Sequence, residues 1–230
     1  QRPGIGDLVI FLSFIRKIVS KFNSPVSILV KTNSKADEIL KNDKDIDQII
    51  YLDRNANKKG SHDGLGFFRL VGKIRKHRFD KVFIFNSSLR YRLLAKFAGI
   101  NEIHQYPLGL KKDNVITSAK ELTEKVLGEK VSTQPLIDID QNLVDAAKTK
   151  YNISKEQKNI ILGISASGED KRWFIDRFIL TCEKLNKLKP CKFYLAAGKN
   201  DKPLIDKIIS SPIGKNCISF ENLSISEILP

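Results

Sequence analysis

Residues 160–178 read Ile-Ile-Leu-Gly-Ile-Ser-Ala-Ser-Gly-Glu-Asp-Lys-Arg-Trp-Phe-Ile-Asp-Arg-Phe. An apolar run of strand type ends at residues 163–165. A short polar loop with small hydroxyl residues and Lys171 comes next, and Trp173 then leads into an amphipathic helix. Strand, loop and helix make one βα step of a parallel sheet, and this step decides the fold class. At the helix start, backbone N–H groups lack partners and the positive end of the dipole faces the loop. With the mobile charge of Lys171 added, the stretch reads as a site for a diphosphate. It also reads as an ordinary βα connection with Lys171 and Arg172 solvated, and spacing alone favours that plainer reading.

Working outward, the alternation continues in both directions. Downstream come a helix at 176–188, a strand at 192–197, Gly198, a helix at 203–210, a strand at 217–220 and a helix start at Ser224. Upstream, residues 128–158 are looser, with Pro135, a short apolar run at 136–139 and a polar helix at 141–151, and they read as an interdomain segment. Before them lie strands at 26–30, 49–52, 81–85 and 103–106. Helices at 34–41, 67–76, 87–98 (closed by Gly99) and 116–127 (closed by Gly128) intervene, and 54–66 reads as a mobile polar loop. Strands alternating with helices predict an α/β chain with parallel sheets covered on both faces. Two such halves in tandem predict two Rossmann-like domains, 1–150 and 151–230, the second incomplete.

The first helix is preceded by Gly4-Ile-Gly6-Asp7, and Leu8, Phe11, Leu12, Ile15, Ile18, Val19 and Phe22 form its broad apolar face. Glycines there permit a tight turn and close approach of another molecule. Asp7 is placed to cap the helix, and taken alone it is a plain capping residue. This is not the dinucleotide fingerprint, because Val9 stands where its third glycine belongs.

Composition bounds the partners. A net charge of +14 and a pI near 9.6 favour something anionic: nucleic acid, a phosphorylated substrate or an anionic membrane surface. The lysines are spread along the chain and no ribonucleoprotein motif occurs, so nucleic acid is not expected. No apolar run is long enough to span a bilayer, and no signal-peptide pattern opens the chain. Cys182, Cys191 and Cys217 are odd in number and lack metal-type spacing, and His62, His77 and His104 are scattered, so free or buried thiols and no metal centre are expected. The opening Gln-Arg-Pro and the closing Leu229-Pro230 read as cut edges, so a fragment is expected.

Three segments resemble the lipopolysaccharide heptosyltransferases, the ADP-heptose-using members of glycosyltransferase family 9. Gly4-Ile-Gly6-Asp7 with its apolar helix looks like the family's N-terminal Gly-Asp motif. Residues 80–99, Asp-Lys-Val-Phe-Ile-Phe-Asn-Ser-Ser-Leu-Arg-Tyr-Arg-Leu-Leu-Ala-Lys-Phe-Ala-Gly, align without a gap to its Asp-Leu-Val-Ile-Asp-Leu-Gln-Gly-Leu-Leu-(Lys/Arg)-Ser-x-Leu-Leu-Ala segment. Residues 163–178 resemble its small-residue loop and Lys-Arg-Trp-Pro-x-x-Arg-Phe helix start.

The resemblance implies a GT-B architecture and inverting, metal-independent transfer of heptose from a nucleotide diphosphate sugar, with no cofactor. The implied acceptor is the lipopolysaccharide (lipid A) core at the cytoplasmic face of the inner membrane, so a cytoplasmic protein, peripheral on that membrane, is implied. Carried over by position, Asp7 is the general base, Ser167 and Lys171 hold the donor phosphates, and Asp201 lies near the nucleoside. Gly6, Asn86 and Arg90 stand on the acceptor side. Departures are Asn86 for glutamine, Ile84 for an acidic residue and Phe174 for proline, and they bear on the acceptor more than on the fold. The family's Asp-x-Gly-x-x-His donor motif does not occur in these residues and is expected beyond Pro230. The alternative is a non-catalytic nucleotide- or polyanion-binding module of the same fold.

Overall fold

The structure is a computed structural model that describes residues 4–54, 61–108, 114–166 and 168–230, without the side chains of Glu169 and Lys199. The chain divides into two compact units, Gln1–Asp138 and Ile139–Pro230.

The first unit begins with helix α1 (Ile5–Phe22), followed by β1 (Val26–Lys31), the short α2 (Ala36–Ile39) and β2 (Ile46–Leu52). Next come α3 (Gly66–Arg75), β3 (Lys81–Ile84), α4 (Leu89–Ala98), β4 (Glu102–Gln105) and α5 (Val115–Leu127). Gly99 and Gly128, with φ of 86° and 70°, close α4 and α5 in the left-handed conformation that glycine adopts without a Cβ penalty. Of the polar loop expected at 54–66, residues 55–60 lie outside the described set.

One sheet was expected in this unit, but the ladders form two parallel pairs, β1–β2 and β3–β4. No described ladder joins β1 to β3, and both strands line one cavity beneath α1. Leu52, Leu70, Ile74, Ile84, Leu94 and Ala98 form the main core, joining β2, β3, α3 and α4. A second cluster of Phe14, Tyr106, Ala119 and Val131 seats α5 against α1.

Two polar ties fix the outer surfaces of α1. Arg16 grips Asp43 in a two-pronged pair and reaches Asp45 at 2.7 Å. Lys17 and Lys21 both bind Glu129, the latter at 2.6 Å.

The second unit contains α6 (Gln141–Lys150), β5 (Lys158–Gly163), α7 (Ile175–Leu188), β6 (Cys191–Ala196), α8 (Lys202–Ile209), β7 (Cys217–Ser219) and α9 (Ile225–Ile228). Its three strands pair in parallel in the order β5-β6-β7. Central β6 is the most buried, as the apolar Cys-Lys-Phe-Tyr-Leu-Ala run of a strand flanked on both sides requires. The thiols of Cys182, Cys191 and Cys217 are free, and burial pushes those of Cys182 and Cys217 up to about 11.

Candidate functional site

In the first unit, Asp7 occupies the first turn of α1. The backbone N–H of Gly4 donates to its Oδ2 at 2.8 Å, so the carboxylate closes the helix N-terminus from within. Gly4 is extended and Gly6 is already helical; neither has a positive φ, and the space around both is open. Asp7 and Gly4 line a cavity of about 670 Å³, whose walls are the apolar underside of α1 and the open edges of β1 and β3.

Aromatic stacking sets the direction of β3 under α1. Phe11 stacks on Phe85 at 5.2 Å, while Phe22, at the far end of the helix, meets Phe83 at 6.4 Å. The carboxyl end of β3 therefore lies under the N-terminal half of α1. Asn86 comes directly after it and lines the same cavity as Asp7. Most of the cavity is an apolar slot between strand edges, and Asp7 and Asn86 are among the polar residues that line it.

Asn86 is held by its neighbours. Its Oδ1 accepts the N–H of Ser88 at 2.8 Å, a local turn that starts α4. Gln105 Nε2 donates to the carbonyls of Asn86 (2.8 Å) and Ser88 (2.9 Å). This fixes the amide's orientation and leaves Gln105 Oε1 buried without a partner among the described residues. Sequence reasoning missed Gln105, because only the parallel register Ile84↔Gln105 brings it beside residue 86. Arg90 goes elsewhere: it donates to the carbonyl of His62, lies 3.6 Å from Asp63 and sits over the Phe67 ring. Of the acceptor-side candidates, Asn86 shares the cavity with Asp7, whereas Gly6 and Arg90 do not line it.

In the second unit the candidate residues lie at the carboxyl ends of β5 and β6, where ligands of parallel sheets are bound. Ser167 lies outside the described residues. Residues Glu169–Lys171 form a single 3-10 turn, with the Lys171 N–H bonded to the Gly168 carbonyl at 3.1 Å. The Lys171 ammonium is exposed and has no ion-pair partner among the described residues.

Arg172 behaves differently. Its Nε reaches the carbonyl of Ala166 at 3.4 Å and its Nη2 bonds Asp201 Oδ1 at 3.0 Å. Asp201 is only 5% exposed, and its other oxygen accepts the Gly198 N–H at 3.3 Å. Asp201 is thus turned into the joint between two loops, with both oxygens occupied. Trp173, whose place before the helix suggests a packing anchor on the sheet, is half-exposed and meets Phe178 edge-on at 4.9 Å.

Among the described residues no group of three or more His, Cys, Asp or Glu side chains is placed to hold a metal ion. None of the described helices is long and apolar enough to cross a membrane.

No protein-family model and no curated protein sequence matches the chain. Solved structures do. The chain is similar to Escherichia coli ADP-heptose LPS heptosyltransferase II at 14% identity and a TM-score of 0.68, over 98% of this chain and 72% of that one. It is similar to a glycosyl transferase family 9 protein from Veillonella parvula at 15% identity and a TM-score of 0.67, over 95% and 67% of the two chains. Against E. coli heptosyltransferase WaaC with ADP the figures are 12% identity, a TM-score of 0.64, and 98% and 75% coverage. At these identities the likeness establishes the fold, the GT-B class expected from the sequence.

Proposed function

We propose that the protein is an inverting glycosyltransferase that moves a heptose or related sugar from a nucleotide diphosphate donor such as ADP-heptose to a hydroxyl of a lipopolysaccharide core acceptor. The observation that supports it most is the fold shared over nearly the whole chain with heptosyltransferases, one of them solved with ADP and one named for ADP-heptose.

In this reading Asp7 takes the proton of the acceptor hydroxyl as its oxygen attacks the anomeric carbon. One C–O bond forms on one face of the sugar, the C–O bond to the diphosphate breaks on the other, and the nucleoside diphosphate departs with the electron pair. Lys171, exposed and unpaired among the described residues, offsets the charge on that leaving group. Ser167 supplies a hydroxyl to the same phosphates. Asn86 helps hold the acceptor in the cavity that it lines with Asp7. Asp201 acts on the nucleoside side through the loop that it fastens, and no metal takes part. The acceptor places the protein at the cytoplasmic face of the inner membrane.

The second reading, a non-catalytic nucleotide- or polyanion-binding module, is favoured by one observation: the Asp7 carboxylate is occupied as a helix cap by Gly4. Replacement of Asp7 by Asn separates the two, because the amide oxygen still accepts the Gly4 N–H but cannot take a proton. In the full-length protein, Asp7→Asn is expected to lower turnover of ADP-heptose by about 10²–10⁴ while donor affinity, measured by calorimetry, changes little. Unchanged turnover, or no turnover by the parent protein with any nucleotide diphosphate sugar, rejects the transferase reading; the second outcome with diphosphate binding intact supports the module.

A further inference from the structure

Helices α3 and α4 pack side by side, and their outward faces are unusual for a surface. On α4, Leu89, Leu93 and Phe97 recur at a spacing of four and are 52%, 38% and 48% exposed. On α3, Phe68 is 62% exposed, and Leu65 at the helix start is 86% exposed. The two rows are continuous, because the Phe68 and Phe97 rings meet at 6.5 Å and Arg75 ties the helices by donating to the Phe97 carbonyl at 2.6 Å. Isolated exposed apolar residues need no explanation, but a joined ridge of two phenylalanines and three leucines does.

The charge on the two helices themselves has one sign. α3 contains Arg69, Lys73 and Arg75, α4 contains Arg90, Arg92 and Lys96, and neither helix has an acidic residue. Lys73, Arg92 and Lys96 are exposed and lack carboxylate partners among the described residues. Arg92 and Lys96 alternate with the apolar positions along the same stripe of α4 (89, 92, 93, 96, 97), so apolar and cationic groups meet one surface together. Long basic side chains beside such a ridge reach anionic headgroups while the aromatic and leucine side chains enter the acyl boundary.

From this we infer that the α3–α4 face is a docking surface for an anionic lipid bilayer. Charge complementarity selects the occupant: an anionic headgroup layer over hydrocarbon offers both negative charge for Lys73, Arg92 and Lys96 and the apolar medium that the ridge requires. The α4 stripe begins three residues after Asn86, so docking brings Asn86 near the membrane. The inference rests on exposure and charge and does not depend on the transferase reading.

Flotation of the full chain with phosphatidylcholine vesicles, with and without added phosphatidylglycerol, tests it. Binding is expected only with the anionic lipid, weakening as salt is raised. Arg92→Glu with Lys96→Glu is expected to lower partitioning at least ~10-fold, and Phe68→Ser with Leu93→Ser about as much. Lys184→Glu with Lys187→Glu, on α7 in the other unit, is expected to change it less than ~3-fold. Unchanged circular dichroism melting shows that each variant is folded. The inference is overturned by absence of vesicle binding, or by equal loss in the α7 variant, which reports diffuse charge. It is also overturned if the parent protein is dimeric by light scattering and Phe68→Ser with Leu93→Ser makes it monomeric, since the ridge then covers a second copy.

Discussion

Arg172 and Asp201, twenty-nine residues apart, are joined by a 3.0 Å bond from Nη2 to Oδ1 that fastens the loop after β5 to the loop after β6. The carboxylate is nearly buried and its second oxygen holds the Gly198 N–H. A buried carboxylate left without its cation is costly. Arg172→Ala is therefore expected to destabilise the second unit by about 2–3 kcal/mol in urea unfolding. In a double-mutant cycle, Arg172→Ala and Asp201→Asn should be strongly non-additive. Additivity within ~0.5 kcal/mol would show that the bond does not bind the loops.

The same bond distinguishes two adjacent cations. Arg172 is neutralised by Asp201, whereas Lys171 remains free to meet an anion. Lys171→Ala is expected to weaken nucleoside diphosphate binding about 10–100-fold and to flatten its dependence on salt. Calorimetry of the parent and the variant against ADP decides it, and equal affinity removes Lys171 from the phosphate site.

Arg16 reaches from α1 to Asp43 and Asp45 in the connection before β2. Burial raises the Asp43 carboxyl, but the Arg16 guanidinium and the Asp45 N–H outweigh it and hold the group below its usual range. Arg16→Ala strands a carboxylate that is only 8% exposed. A loss of about 3 kcal/mol in the stability of the first unit is expected, and Arg16→Met should cost nearly as much, because packing alone does not compensate the charge. A loss under ~0.5 kcal/mol for either variant contradicts this account.

Acid should undo a different tie. Lys17 and Lys21 hold the Glu129 carboxyl down to about 2 from its ordinary 4.5. A carboxyl depressed on folding adds stability that is complete above its unfolded value and lost as pH falls toward the folded value. Glu129→Gln is accordingly expected to lower the melting temperature at neutral pH, with the difference from the parent shrinking below about pH 4.5 and vanishing near pH 2. A difference that persists unchanged at pH 2 would mean that the side chain acts by packing.

Much of the fold was legible because it depends on local rules. The apolar period of residues 8–22, the helix-closing Gly99 and Gly128, and the strand–loop–helix step at 160–178 each encode their element within a few turns of chain. The candidate site was legible in part: the Asp7 cap is set by its place in the first turn, and the exposure of Lys171 by the polarity of its loop. Gln105 and Arg172 could not be read in the same way. One depends on the register of β3 against β4, and the other on a carboxylate from a distant loop.

The sequence by itself determined an α/β chain, the order of its elements, and the residue types available for binding an anion, since these depend on short-range periodicity, capping and composition. Only the tertiary structure decided which of two neighbouring cations is neutralised, that Asn86 rather than Arg90 shares a cavity with Asp7, and that Leu89, Leu93 and Phe97 remain about half-exposed rather than buried in the core. The physical reason is the same in each case. A charge or an apolar face is satisfied by whatever the fold places against it, and that partner comes from elsewhere in the chain or, for the α3–α4 face, from outside it.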